Sequence, residues 1–156
     1  MLVIILLIVA LAVIGFGALF VWTRRAASCA RAIDAPASTP DQVFAGDIMC
    51  RYLMTSGGFA RMEFHDWGIR IRGVAGTKWL VPVWEARYPE LAQTQLITSR
   101  SRVAVWLRLR GESGGCGFLS TRSSQDVLRE LEKHDVQVSR APAEYRRVAE
   151  LYPPAQ

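Results

Sequence analysis

Two histidines, each followed by an aspartate, are the first residues of this sequence whose types could carry chemistry. The pairs are His65-Asp66 and His134-Asp135. A histidine-based metal site needs three or four ligands, and two separate histidines cannot supply a typical set. Both pairs lie where the pattern predicts a turn or a helix end, and aspartate is a common turn residue. We therefore interpret them as turn residues and expect neither a metal nor a cofactor.

Nucleophilic and phosphate-binding chemistry is not indicated either. A serine nucleophile on a strand-to-helix elbow needs a GxSxG-like pattern, which the sequence lacks. A phosphate-binding loop needs a glycine-rich turn that runs into a helix with a lysine. Gly57-Gly58 and Gly114-Gly115 lie between predicted strands instead. The chain is predicted not to be an enzyme; a histidine in a pocket with carboxylates or a metal would reverse that prediction.

A set of arginines with one tryptophan is the strongest candidate for a binding face. Its members are Arg70, Arg72, Arg100, Arg102, Trp106, Arg108 and Arg110. Such a face binds anionic lipid head groups, nucleic acid or an acidic protein. The alternative is a solvated sheet face that Glu63, Glu85 and Glu112 neutralise. We favour the solvated face, keep anionic lipid as an alternative ligand, and expect no nucleic acid.

The elements that position these residues begin with an uninterrupted apolar segment. Leu2 to Trp22 contains no charged or strongly polar side chain. At about 1.5 Å per residue, a helix of this length spans about 30 Å, the thickness of a bilayer's hydrocarbon core. A signal peptide would need a basic residue before the apolar run and a small-residue cleavage site. The sequence therefore predicts a retained, single-pass transmembrane anchor.

The charges beside the anchor predict its orientation. Arg24, Arg25 and Arg31 follow it closely, whereas only the α-amino group precedes it. Because positively charged flanks stay in the cytoplasm, we expect the N-terminus outside the cell membrane and the C-terminal domain in the cytoplasm.

The three cysteines do not indicate a disulfide framework. Cys29, Cys50 and Cys116 form no CxxC pair, and their number is odd. They are predicted to be free, buried or half-buried thiols in a reducing compartment.

The remaining chain reads as one sheet domain with a helix after it. We divide it into an anchor (1–23), a juxtamembrane segment and linker (24–43), a β domain with a capping helix (44–139) and a tail with a short helix (140–156). About seven strands are predicted from short apolar alternations between glycine turns. One alternation places the isoleucines of Ile69 to Arg72 inward and its arginines outward, and another predicts a strand from Trp79 to Val83 around Pro82.

Helical spacing appears only after the strands. Ser123 or Ser124 is predicted to be the N-cap, and Val127, Leu128 and Leu131 form an apolar stripe on a helix that ends at His134-Asp135. Pro142 is predicted to open the short helix of the tail, in which Tyr145, Val148, Ala149 and Tyr152 share a face.

Three stretches resemble bacterial pleckstrin-homology-like (PH-like) domains. GGFARMEFHDWGIRIRG is similar to their second and third strands, KWLVPVWEARYPELAQTQLITSR to their middle strands, and GFLSTRSSQDVLRELEKHDVQV to their last strand and capping helix. The chain also resembles small actinobacterial single-pass membrane proteins that carry such a domain. The resemblance implies an α+β fold with an antiparallel β-barrel or sandwich capped by a C-terminal helix. Lipid-binding PH domains carry a basic cluster in their first hairpin, and Thr55 to Gly58 lacks one.

Two functions remain open on these grounds. The first is a non-catalytic, membrane-anchored PH-like module that binds a protein partner at the cytoplasmic membrane face. The second is recognition of anionic lipid through the arginine face defined above.

Overall fold

A long apolar helix opens the computed structural model. Helix α1 spans Leu2–Ala27, and its 22 residues from Val3 to Arg24 are long and apolar enough to cross a membrane, a test that a signal sequence also passes. Its apolar side chains from Val3 to Val21 are exposed. The structure describes residues 2–27, 29–50, 53–77, 81–92, 94–99, 102–112, 115–121 and 124–144.

Nine strands and a second helix follow in the described part of the chain. They are β1 Gln42–Cys50, β2 Leu53–Met54, β3 Ala60–His65, β4 Gly68–Gly73, β5 Trp84–Arg87, β6 Thr94–Ser99, β7 Arg102–Arg108, β8 Gly115–Ser120, α2 Ser124–Lys133 and β9 Val138–Glu144. The strand order is β5-β4-β3-β1-β8-β7-β6-β9, and the short β2 pairs with the end of β1. Among the strands of the described residues, β9 alone pairs in parallel, with β6.

This arrangement confirms the predicted fold class. One antiparallel meander runs from β1 through β3 and β4 to β5, a second runs from β6 to β8, and α2 follows the second. Together with the apolar N-terminal helix, this is the PH-like sandwich with a capping helix that the sequence predicts. The strands number nine rather than seven because β2 is a two-residue extension of the first hairpin and β9 adds an edge.

The core lies between the sheet and α2. Ile69 and Ile71 of β4 are fully buried, as predicted, and Phe64 and Phe118 fill the centre. Helix α2 buries Val127, Leu128 and Leu131 completely against them. Each such side chain contributes about 1.5–3 kcal/mol by leaving water, so this apolar stripe holds the helix on the sheet.

Both ends of α2 are fixed by specific contacts. The Ser124 hydroxyl donates to the Val103 carbonyl oxygen at 2.7 Å, which ties the first turn to β7. At the other end Asp135 adopts a left-handed conformation with φ 58°, and the Val136 amide donates to the Leu131 carbonyl. The predicted end of the helix at His134-Asp135 is therefore confirmed.

The strand predicted from Trp79 to Val83 is displaced along the chain. The structure places β5 at Trp84–Arg87, while Val83 is exposed and Val81 is buried. Pro82 has no amide to donate to a ladder, so regular pairing with β4 begins only after it. Residues 78–80 lie outside the described part of the chain.

The last strand differs from the predicted tail. β9 continues to Glu144, so Pro142 lies in a strand and does not open a helix. The pairing of β9 with β6 shifts register between Gln95 and Ile97, a position where a proline without an amide is tolerated. The residues of the predicted tail helix after 144 lie outside the described range, and the domain boundaries stay predictions.

The end of α1 is joined to the sheet domain. Trp22 packs against the core cluster, and Cys29 forms a disulfide with Cys50 at the end of β1, with the two Cα atoms 6.2 Å apart. The prediction of three free thiols is thus wrong for this pair, because the fold brings two distant cysteines to bonding distance. Cys116 is a free, buried thiol, and its burial raises its pKa.

The segment after the disulfide lies along the sheet edge. The Arg31 amide donates to the Val83 carbonyl at 2.9 Å, and its carbonyl accepts from the Glu85 amide at 2.8 Å. The Arg31 guanidinium binds the Glu90 carboxylate at 3.2 Å, and the Ile33 amide donates to the Glu85 carboxylate. This segment therefore covers β5 at one edge of the sheet.

Candidate binding surfaces

The strand order divides the predicted arginine face. Arg70 and Arg72 lie on β4, whereas Arg108 lies on β7, and β3, β1 and β8 separate the two strands. Four strand spacings of about 4.8 Å put about 19 Å of sheet between them. Arg100 lies outside the described residues, and the backbone of Arg102 pairs with Ser99 at the start of β7. The structure thus does not bring the set together.

Arg70 and Arg72 are occupied by carboxylates of neighbouring strands. The Arg70 guanidinium binds Glu85 at 2.6 Å and Arg72 binds Glu63 at 2.6 Å. Both glutamates are buried, and the Glu63 side chain is only 3% exposed. A buried carboxylate without a partner is costly, so these two arginines compensate charges inside the domain.

Trp106 is not available as an exposed aromatic surface. Its residue is 3% exposed, and its ring lies over β8, where Gly115 and Gly117 provide the space. A Cβ atom at Gly117 would lie 3.1 Å from the Trp106 ring, and one at Gly115 would lie 2.9 Å from its indole nitrogen. Trp106 belongs to a second apolar cluster, on the outer face of the sheet, with Met49, Ile97, Ala104 and Leu119.

Arg108 and Arg110 form the part of the predicted face that stays uncompensated. Both side chains are exposed, and among the described residues neither lies within 4 Å of a carboxylate. The Arg110 Nε donates to the Leu91 carbonyl oxygen at 3.0 Å. β7 and β8 pair from Val105 to Arg108, and β8 also pairs with β1 at Met49. Arg108 and Arg110 therefore lie at the Cys50 end of β1, near the anchor.

The first hairpin carries a feature that sequence reasoning missed. Asp47, buried on β1, accepts hydrogen bonds from the Thr55 hydroxyl at 3.0 Å and from the amides of Gly57 and Gly58 at 3.1 and 3.0 Å. Gly57 and Gly58 have φ values of 129° and 75°, which a residue with a Cβ atom rarely adopts. One buried carboxylate thus organises the loop. The signal was a charged residue inside an otherwise apolar strand.

Two apolar side chains flank this loop and face solvent. Met54 is 58% exposed and Phe59 is 38% exposed. Each follows or precedes a residue that donates a hydrogen bond to Asp47, Thr55 in the case of Met54 and Gly58 in the case of Phe59. Strand β2, which includes Met54, contacts α1. We name residues 54–59 the Asp47 loop; it is an ordered, apolar projection beside the anchor.

His65 is the histidine with the closest polar neighbours. Its Nδ1 lies 2.9 Å from the Ser38 hydroxyl, which also accepts from the Trp67 indole at 3.1 Å. Its Nε2 lies 3.7 Å from the Glu63 carboxylate, beyond hydrogen-bond distance. A serine, a histidine and a carboxylate therefore meet, but the carboxylate does not hold the imidazole. Here the contacts attach the segment before β1 to the sheet.

His134 has a packing role. Its ring stacks on Tyr88 with centroids 4.1 Å apart, and its Nε2 lies 4.0 Å from Glu130. Burial, together with Asp41, Glu130 and Asp66, raises the pKa of Tyr88, whose hydroxyl donates to the His65 carbonyl oxygen at 2.7 Å. Within the described residues, no three His, Cys, Asp or Glu side chains are placed to hold a metal ion.

Comparison with known proteins adds a loose structural likeness. No family model and no curated protein matches the sequence. The solved structure of the Spt16D Pob3N heterodimer is similar with a TM-score of 0.44 and 14% identity, covering 69% of this chain and 58% of that chain. The chain thus spans less than two thirds of that chain's length. The PH-like assignment depends on the strand order and the capping helix.

Proposed function

We propose that the chain is a non-catalytic, membrane-anchored PH-like module that binds a protein partner at the cytoplasmic face of the membrane. The observation that carries the proposal is the Asp47 loop. A buried carboxylate holds the loop in one conformation, so little conformational entropy is lost on binding. Its exposed Met54 and Phe59 are apolar, as the centres of protein interfaces are.

The position of the loop supports a partner that is itself at the membrane. β2 contacts α1, and Trp22 near the end of α1 packs against the core of the domain. This packing favours a retained anchor, because cleavage after the helix would remove Trp22 from the fold. The cytoplasmic side is supported by Arg24 and Arg25, which follow the apolar run directly.

The test is affinity capture of the full chain from native membranes in mild detergent. We expect a stoichiometric partner that survives moderate salt with the native chain. Met54→Ser together with Phe59→Ser should remove it. Val103→Ser is the matched control, since Val103 is similarly exposed on β7 but outside the loop. Equal capture by the loop variant, or no reproducible partner, would overturn the proposal.

A second candidate function is binding of anionic lipid head groups through Arg108 and Arg110. The supporting observation is that both guanidinium groups are exposed, lack a carboxylate among the described residues, and lie at the anchor end of the sheet. A well-placed arginine near an anionic membrane contributes about 1 kcal/mol, so the pair should strengthen lipid binding by about 30-fold at low salt.

Native mass spectrometry of the full chain with phosphatidylglycerol or phosphatidylcholine distinguishes this candidate. Arg108→Gln with Arg110→Gln should lose selectivity for the anionic lipid. Arg61→Gln with Arg129→Gln is the control with the same change of charge, because both are exposed and lie on β3 and α2. Equal lipid retention by the two double variants would exclude the lipid function.

A further inference from the structure

The only disulfide among the described residues joins the anchor segment to the sheet domain. Cys29 lies two residues beyond the end of α1, and Cys50 is the last residue of β1. The bond therefore connects the base of the helix to the hairpin that carries the Asp47 loop. Its two ends are 21 residues apart in sequence.

The environment of the bond makes it open to exchange from one side. Cys29 is half-buried, whereas Cys50 is buried. Cys29 is therefore the more accessible of the two cysteines to a thiol or thiolate in solution. Cys116 cannot compete for the bond at neutral pH, because burial raises its pKa and keeps it protonated.

We propose that Cys29 and Cys50 form a reversible thiol–disulfide exchange site that fastens and releases the joint between the anchor and the sheet domain. The inference rests on the proposed cytoplasmic position of the domain. Cytoplasmic thiols are kept reduced, and disulfides that do form there are usually transient and redox-sensing. A pair that the fold holds at bonding distance in that compartment closes when the thiol pool becomes oxidised.

The oxidant is a low-molecular-weight disulfide, RSSR. One cysteine thiolate attacks it, releases one RSH and forms a mixed disulfide, and the second cysteine displaces the other RSH. The balance is two protein thiols and one RSSR giving one protein disulfide and two RSH. Excess RSH reverses both steps and opens the joint.

Opening the bond leaves the joint with weaker contacts. Among the described residues, the remaining contacts include the packing of Trp22 against the core, the ion pair of Arg31 with Glu90 and the backbone bridge between Arg31 and Trp84 of β5. The hairpin end is then free to move relative to α1, and with it the Asp47 loop that the proposed function assigns to the partner. Partner binding therefore depends on the redox state of the pair.

The experiment traps thiols of the full chain in intact cells with a maleimide mass tag, before and after addition of a thiol oxidant and then a reductant. We expect two tagged thiols to disappear within minutes of oxidation and to return on reduction, in the native chain and in Cys116→Ala. Cys29→Ser should abolish the response. In isolated membranes, partner capture should change several-fold between oxidised and reduced protein, and should not change in Cys29→Ser.

Two results would overturn the exchange site: a bond that never opens in growing cells, and a pair that never closes under oxidant. A C-terminal reporter separates this failure from failure of the proposed function. If the reporter lies in the cytoplasm and the cysteine pair does not respond to oxidant or reductant, only the exchange-site proposal is wrong. If the reporter lies outside and the disulfide never opens, the cytoplasmic assignment is wrong as well. Affinity capture with the loop variants tests partner binding independently of both.

Discussion

The Thr55 hydroxyl lies between two groups of β1: it donates to the Asp47 carboxylate at 3.0 Å and accepts a hydrogen bond from the Ile48 amide at 3.0 Å. This contact extends the hairpin of β1 and β2 by one more position, past the last paired residues Met49 and Met54. Because Asp47 also accepts from Gly57 and Gly58, the loop conformation depends on one buried charge. The proposed partner site is therefore stabilised from inside the domain.

Asp47→Asn should destabilise the domain and disorder its loop. The amide retains one acceptor oxygen for four donors, the Thr55 hydroxyl and the amides of Gly57, Gly58 and Phe59. A lost hydrogen bond to a buried charged group costs about 1.5–3 kcal/mol. We expect the free energy of unfolding to fall by about 2–3 kcal/mol, measured by urea denaturation in micelles. Thr121→Val, which removes an exposed hydroxyl contact to the Ala45 carbonyl oxygen, should cost about 0.5 kcal/mol. Equal losses in the two variants would contradict this account.

Arg72→Met should expose the cost of the buried Glu63 carboxylate. Breaking a buried pair from one side costs about 3–5 kcal/mol, and because Arg72 is 44% exposed water will reduce this to about 2 kcal/mol. Adding Glu63→Gln should recover much of the loss, as a thermal unfolding series would show. Arg129→Met is the control, since its pair with Asp126 is exposed on both sides and is worth about 0.5 kcal/mol.

Local periodicity predicted the parts of this fold that depend on a single strand or helix. The alternation around Ile69 and the stripe of Leu128 each report burial on one face, which is a local property. The strand at β5 was misplaced because apolar spacing continued across Pro82, although the proline prevents pairing there. The sequence shows that Pro82 interrupts the pairing, but it does not show whether the strand lies before or after the proline.

The candidate sites depend on the order of the strands in the sheet, which cannot be inferred from the spacing of residues in the sequence. Arg72 and Arg108 have the same outward parity on their strands, yet three strands lie between them. The bond between Cys29 and Cys50 was missed for the same reason, because their proximity arises from the return of β1 to the base of α1. Asp47 was recognisable as a charge in an apolar strand, but its partners became apparent only with the loop in place.

Gly46→Ala should disrupt the pairing of β1 with β8. A Cβ atom at this position would lie 2.2 Å from the Leu119 carbonyl oxygen and 2.6 Å from the Phe118 ring. A backbone oxygen cannot move aside without opening the ladder, so we expect a loss of about 3 kcal/mol. Circular dichroism during urea denaturation measures it. Gly15→Ala in α1, where nothing lies within 4 Å of the added atom, should leave the midpoint unchanged, and a similar midpoint for Gly46→Ala would refute the clash.

The ion pair between Arg31 and Glu90 should make the joint sensitive to acid. Partial burial raises the pKa of Glu90, but hydrogen bonds from the Arg87 amide and from Arg31 outweigh it and hold the pKa below the ordinary value of 4.5. A carboxyl whose pKa is lowered by folding stabilises the native state above its unfolded pKa and loses that contribution as the pH falls through the folded pKa.

The native chain should therefore be more stable than Glu90→Gln at neutral pH, by a margin that is constant down to about pH 5 and closes below the ordinary pKa. Unfolding midpoints in urea across this range measure the margin. Glu112→Gln, a change at an exposed position after β7, provides the comparison for a general effect of charge. A margin that widened as the pH fell would mean that Glu90 does not stabilise the joint as a carboxylate.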